Sequence, residues 1–166
     1  MQFKTIKEGK SLYVADFIKT SDYIECVINR YREKLEQKIL FMQTNVTKLK
    51  KLSEVDKGIF IKDFRNVDSS KYLLQVTIEA MLDIASYLIA RNRWGKPEDN
   101  KAHFQILADN NVIKIEDVDA YFLMAKFRNR ILHMYFNIND EMVYDIIQNN
   151  LKDFERFISN ILIIMR

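Results

Sequence analysis

The residues in this chain best equipped for chemistry stand together in Phe127-Arg128-Asn129-Arg130-Ile131-Leu132-His133-Met134-Tyr135. Arginine presents a fixed, permanently charged fork that matches phosphate oxygens. Histidine is the side chain whose ordinary pKa lies nearest neutrality, so it can take up or release a proton at working pH. Tyrosine adds a hydroxyl that can hydrogen-bond or be modified. On a helix, residues five apart are separated by about 140° around the axis. Arg128 and His133 therefore flank one side of such a helix instead of stacking in one line. Asn129 falls under His133 and Leu132 over Arg128, so Arg128, Leu132 and Tyr135 can border one wall of a groove, with Asn129 and His133 on the other.

The chemistry this permits is metal-free cleavage of RNA. His133 would take the proton from a 2′-hydroxyl or give one to the 5′-oxygen leaving group. Arg128 would stabilise the charge that develops on the phosphate. The need for a 2′-hydroxyl nucleophile selects RNA over DNA. One helix supplies a single His in this motif, whereas phosphodiester cleavage ordinarily uses two proton-transfer groups. A twofold homodimer that pairs the helix with its copy would supply both. Taken alone, Arg-x4-His is a common spacing, and helix packing explains it as readily.

Composition sets the frame. A chain of 166 residues fits one domain with one core. It is 48% hydrophobic and 30% charged, with 3 Gly and 1 Pro, and its apolar spacing is mostly helical, so an all-α protein is expected. No run of 18 apolar residues suggests a membrane span. No apolar signal core follows the first residues, so a cytoplasmic location is expected. The lone Cys26 suits a reducing compartment and reads as a buried small hydrophobe. The net charge of +3 permits RNA or an acidic partner without demanding either. There is no Gly-rich phosphate loop, no Cys/His metal spacing and no nucleophile elbow, so no metal ligand set is expected.

Several helices must position the motif. Residues 3–15 read either as a small hairpin turning at Gly9 or as a frayed terminus. From Ser21-Asp22 a nearly heptad apolar stripe runs through Ile39, Met42, Val46 and Leu49, predicting either one helix of about thirty residues or a helix broken partway, packed antiparallel on another. A connector over 54–68 carries Ile59-Phe60-Ile61, which can fold back over a core edge. Asp68, Ser69 or Ser70 would then cap a second long helix to about Trp94. That helix is apolar on nearly every side between Val76 and Ala90, as expected of the most buried one. Only Thr77, Glu79, Asp83 and Ser86 interrupt it. Asp83 is costly to bury unless paired, so it is either satisfied by an arginine or backbone donor or faces a functional cleft. Arg91 and Arg93 suit the helix dipole, and Gly95 would take the left-handed position that closes the helix. A short helix over about 100–110 carries His103, read as a surface or satisfied residue. The motif helix is expected over about 116–135 and a last helix over about 140–165.

The string Phe127-Arg128-Asn129-(x3)-His133-x-Tyr135, set on the third long helix of an all-α chain, resembles the HEPN superfamily, specifically the HepT-like toxins of HEPN/MNT toxin–antitoxin pairs. The likeness extends to Ala80-Met81-Leu82-Asp83-Ile84-Ala85, Phe104-Gln105-Ile106-Leu107 and Val143-Tyr144-Asp145-Ile146-Ile147. It implies an up-and-down four-helix bundle over residues 32–166, preceded by a 1–31 extension that is atypical of the family and could dock a partner. It also implies a homodimer with a composite cleft, acting as a metal-independent endoribonuclease on RNA. Arg128 and His133 would be the catalytic pair, with Asn129 orienting the His or the phosphate. Tyr135 matches the tyrosine to which a minimal nucleotidyltransferase antitoxin adds AMP; ATP and Mg would belong to that partner, and the chain itself would need no cofactor. Asp83 matches an acidic position of the second helix, where a pairing with Arg128 is expected. The competing reading is a non-catalytic helical module that docks a nucleotidyltransferase or binds nucleotides.

Overall fold

A computed structural model describes residues 17–135 and 138–165, all helix and connecting turn. The hairpin considered for residues 3–15, and Phe136 of the motif helix, lie outside these described residues. Contacts divide the chain into two units, residues 1–37 and 38–166. In the described part of the first, Arg32 Nε donates to Glu36 Oε1 at 3.1 Å across one helical turn. Cys26 is exposed, not buried. It sits two residues from both Ile24 and Ile28, which puts it about 200° around the helix from either.

The first helix, α1 (Phe17–Ser53), begins a turn earlier than its stripe predicts. Within the second unit it buries Ile39, Met42, Val46 and Leu49, in steps of three and four. α2 (Lys57–Lys62) opens on Asp56, whose Oδ1 accepts from the amides of Gly58 (2.9 Å) and Ile59 (3.3 Å). Its Phe60 is fully buried against Tyr144, with ring centroids 5.1 Å apart, while Ile59 stays exposed. The connector therefore folds over a core edge by one residue of its apolar run.

α3 (Phe64–Asn92) starts at Asp63, which accepts from the Arg65 amide at 3.0 Å, not at Asp68, Ser69 or Ser70. Those three lie inside the helix, because Asp63 supplies an acceptor a turn and a half sooner. α3 is long and apolar enough to cross a bilayer by length and composition, but most of that apolar surface is spent in the core. Lys38, near one end of the second unit's part of α1, pairs with Asp83 on α3.

The left-handed residue at the end of α3 is Arg93 (φ 58°), not Gly95. The Arg93 and Trp94 amides bond back to Ala90 O (3.3 Å) and Ile89 O (3.1 Å), closing a Schellman motif around that residue. A long side chain in this conformation costs about 1 kcal/mol that glycine would not. Arg93→Gly should therefore raise stability by about 0.5–1 kcal/mol, read as a higher urea midpoint. A lower midpoint would mean that the Arg93 charge at the helix end outweighs the strain.

α4 (Asn100–Asp109) ends in the same motif with Asn111 left-handed (φ 58°), and then buries Val112 and Ile113. His103 is satisfied, its Nδ1 lying 2.8 Å from Asp99 O. A 3₁₀ turn (Ile115–Asp117) leads into the motif helix α5 (Val118–Met134). The expected last helix is two: α6 (Asp140–Asn149) and α7 (Leu151–Ile164), broken at Asn150.

α5 packs on α3 and α4, and α6 on α2 and α3. The start of α5 is fixed to α7 through Arg156, whose Nε donates to buried Asp117 at 3.1 Å and whose Nη2 donates to Asp153 at 2.5 Å. Below that pair, Tyr121, Phe104 and Phe157 form a buried aromatic cluster with centroids 5.5–6.4 Å apart. Burial, with the Asp117 charge beside it, pushes the Tyr121 phenol far above its ordinary range, so it stays neutral. The motif thus stands on a rigid helix whose first turns are locked into the core.

Candidate active site on the motif helix

Arg128 points from α5 toward α3. Its guanidinium makes an ion pair with Glu79, and Nη1 donates to Asn129 Oδ1 at 2.8 Å. The arginine side chain is 22% exposed and Glu79 45%, so the pair is held at the edge of the core, open on one side. Among the described residues Arg128 Nε is buried without a hydrogen-bond partner. An orphan donor of this kind costs about 1–3 kcal/mol, and structures tolerate few of them.

His133 is exposed in the last turn of α5. Asn129, half-buried, lies between it and Arg128 around the helix. The structure therefore brings Arg128 and Asn129 into direct contact and leaves His133 open to solvent on the adjoining face. His133 is thus not packed as a core residue, whereas Phe127 and Ile131 of the same stretch are. Exposed Leu132 and Met134 flank it on α5, and exposed Met142 stands on α6.

Tyr135 stands one residue beyond α5. Its ring lies under the ammonium of Lys71, 5.2 Å from the centroid. Lys71 is nearly fully buried and bonds Asp140 Oδ1 at 2.9 Å, tying the start of α3 to the start of α6 across the tyrosine. Partial burial, then a hydrogen bond to Asp68 and the charges of Asp68 and Asp140, hold the Tyr135 phenol above its ordinary pKa. The phenol is accordingly neutral at working pH, with a carboxylate acceptor beside it.

Asp83 does not pair with Arg128. It is about half exposed and accepts from Lys38 Nζ at 2.5 Å. The acid that meets Arg128 is Glu79, one helical turn earlier on the same face of α3. Glu79 was visible in the sequence as one of four polar interruptions of an apolar helix, at i−4 from Asp83. What decides between the two acids is the level at which α5 crosses α3, which no single-helix pattern encodes. Lys71 had no sequence signal, since a lysine at a helix start normally reaches solvent.

The HepT-like ribonuclease family model matches residues 42–161, more than half of the chain. The chain belongs to the HepT-like ribonuclease family. It is 34% identical over 112 residues to the mRNA nuclease HepT of Shewanella oneidensis, covering 66% of this chain and 84% of that protein. Among solved structures, it resembles the tri-AMPylated Shewanella oneidensis HEPN toxin in complex with MNT antitoxin, with TM-score 0.72 and 30% identity over 78% of this chain and 96% of that one. A tyrosine-to-alanine mutant of the toxin–antitoxin pair MntA–HpeT matches with TM-score 0.71 and 29% identity, over 78% and 98% of the two chains. The cytosolic protein YutE from Bacillus subtilis shares the fold at 17% identity and TM-score 0.69, over 81% and 90%. The chain is thus a HEPN helical bundle, as the motif implied, related to a nuclease and to toxins seen with an antitoxin.

Proposed function

We propose that this HEPN protein is a cytoplasmic, metal-independent endoribonuclease toxin, with Arg128 and His133 as its catalytic pair. The observation that carries this reading is the division of labour on α5. Arg128 is anchored by Glu79 and Asn129 at the core edge, whereas His133 is left open beside it. An anchored cation can meet a phosphate without reorganising, and an open imidazole can move a proton.

In the reaction, the 2′-oxygen attacks the adjacent phosphorus and its proton passes to one His133. The bond to the 5′-oxygen breaks, and that oxygen takes a proton from a second imidazole. The products are a 2′,3′-cyclic phosphate and a 5′-hydroxyl end. Arg128 balances the charge on the non-bridging oxygens. A twofold homodimer supplies the second histidine. Exposed Leu132 and Met134 beside His133 support an apolar contact there. Asn129 keeps Arg128 in register through its 2.8 Å bond.

The activity is neutralised by a nucleotidyltransferase antitoxin that transfers AMP from ATP to the Tyr135 oxygen, which loses its proton as pyrophosphate leaves, with ATP and Mg held by the partner. Each AMP adds a negative phosphodiester close to the cleft, which repels RNA and fills space. The alternative, a module that only docks the transferase, needs neither the Arg128 anchor nor an open His133.

The test is cleavage of single-stranded RNA by the purified chain in EDTA, before and after incubation with the cognate transferase, ATP and Mg. The wild type should cut, and lose that activity as mass spectrometry shows AMP added. Tyr135→Phe should cut and stay active after the same treatment. An AMP-free wild type that leaves RNA intact would favour the docking module.

A further inference from the structure

The outer line of α5 carries more than His133. Arg130 and Lys126 precede it by three and seven residues, offsets that place all three within about 60° of arc along about 10 Å of helix. All three are exposed. One turn before Lys126, the half-buried ring of Phe122 has Lys126 Nζ 4.4 Å and Lys101 Nζ 5.5 Å from its centroid. From Ala120 to Tyr135 there is no Asp or Glu, against three Lys or Arg. Among the described residues neither Lys126 nor Arg130 has a carboxylate partner, and Arg130 Nη1 meets only Met142 Sδ, at 3.9 Å. Their neighbours differ: Arg128 is tied to Glu79, and Lys101 to Asp119 at 2.8 Å. Attraction to the helix dipole accounts for cations in the last turn, but Lys126 lies two turns before the end and beyond its reach.

We propose that Phe122, Lys126 and Arg130 form a track for single-stranded RNA that leads to His133. Lys126 and Arg130 bind phosphates next to the scissile one, and the Phe122 ring stacks on an unpaired base. This rests on the endoribonuclease reading and extends it from the chemistry to the path of the substrate. Cations that follow the backbone, together with an aromatic face that accepts any base, are the two components of sequence-tolerant single-strand binding. A paired base hides its face in the stack, so this track disfavours duplexes. Arg128 and His133 stand at the end of the line where the strand would cross from the outer face of α5 toward α3.

The experiment uses the full chain in EDTA. Fluorescence anisotropy follows a labelled single-stranded 2′-O-methyl oligoribonucleotide, which cannot be cut, over a salt series. Cleavage kinetics are measured on the RNA of the same sequence. The Lys126→Ala/Arg130→Ala double variant should lower the slope of log K against log salt by about 1.4, or about 0.7 per lost phosphate contact. Its KM should rise about tenfold with kcat kept within about twofold. Lys126→Arg/Arg130→Lys should keep the wild-type slope. Phe122→Leu should weaken binding about tenfold without changing the slope. An active wild type beside a double variant with unchanged slope and KM overturns the track and leaves the ribonuclease standing. A fall in kcat alone also overturns it, placing these residues in the chemistry. A wild type that neither binds nor cuts RNA overturns both.

Discussion

Replacing His133 with Ala should abolish measurable RNA cleavage, lowering kcat by at least about a thousandfold, with folding and RNA affinity intact. A positioned acid or base contributes about 10²–10⁴-fold in rate. In a twofold dimer the single substitution removes the base from one copy and the acid from the other, so the loss falls at the top of that range. His133 is exposed, so its removal opens no cavity, and stability should change by no more than about 0.5 kcal/mol. The measurement is cleavage of one RNA in EDTA at saturating concentration, with urea midpoints for both proteins. Mixed dimers carrying one wild-type and one substituted copy sharpen it. They hold one imidazole where two are needed, so their activity should fall well below half. Activity of half would show that each copy works alone. Equal cleavage by wild type and variant would trace the activity to a contaminating nuclease.

The sequence is legible wherever one helix face decides the outcome. The stripe through Ile39, Met42, Val46 and Leu49, and the apolar body of α3, emerge as the core they promised. Misreadings occur where two signals of similar strength compete. Asp63 and Asp68 can both cap α3, and the first one met along the chain takes the role. Gly95 is the better left-handed residue, yet Arg93 holds that conformation, with the Arg93 and Trp94 amides closing the helix two residues before the glycine. The break at Asn150 is invisible for a different reason. Ile147, Leu151, Phe154 and Ile158 keep helical spacing across it, so the apolar period runs on while the backbone bends. At the candidate site, Arg128 and His133 are singled out by their chemistry, and the roles of Asn129 and Tyr135 rest on the family resemblance. The partners Glu79 and Lys71 depend on how α3, α5 and α6 cross, which is a property of packing and not of any one segment.

Those partners lead to the second large effect. Arg128→Ala should lower kcat by about 10²–10³-fold, the loss seen when a single charge-stabilising donor is removed from a transition state. Arg128→Lys should recover little of it, because an ammonium has no planar fork with which to hold Glu79, Asn129 and a phosphate together. Glu79→Gln separates anchoring from charge. The amide keeps the size of the acid but loses the ion pair, so Arg128 gains freedom and the cleft becomes more positive. Attraction for RNA then holds or strengthens while alignment deteriorates, so kcat should fall about tenfold without any rise in KM. Because Glu79 is half exposed, water screens the pair, and little stability should be lost. Asp83→Asn serves as the control one turn along α3: it breaks only the contact with Lys38 and should leave kcat unchanged. If Asp83→Asn and Glu79→Gln lowered kcat equally, the anchoring role of Glu79 would fail, and the acidic face of α3 would be acting through its summed charge instead.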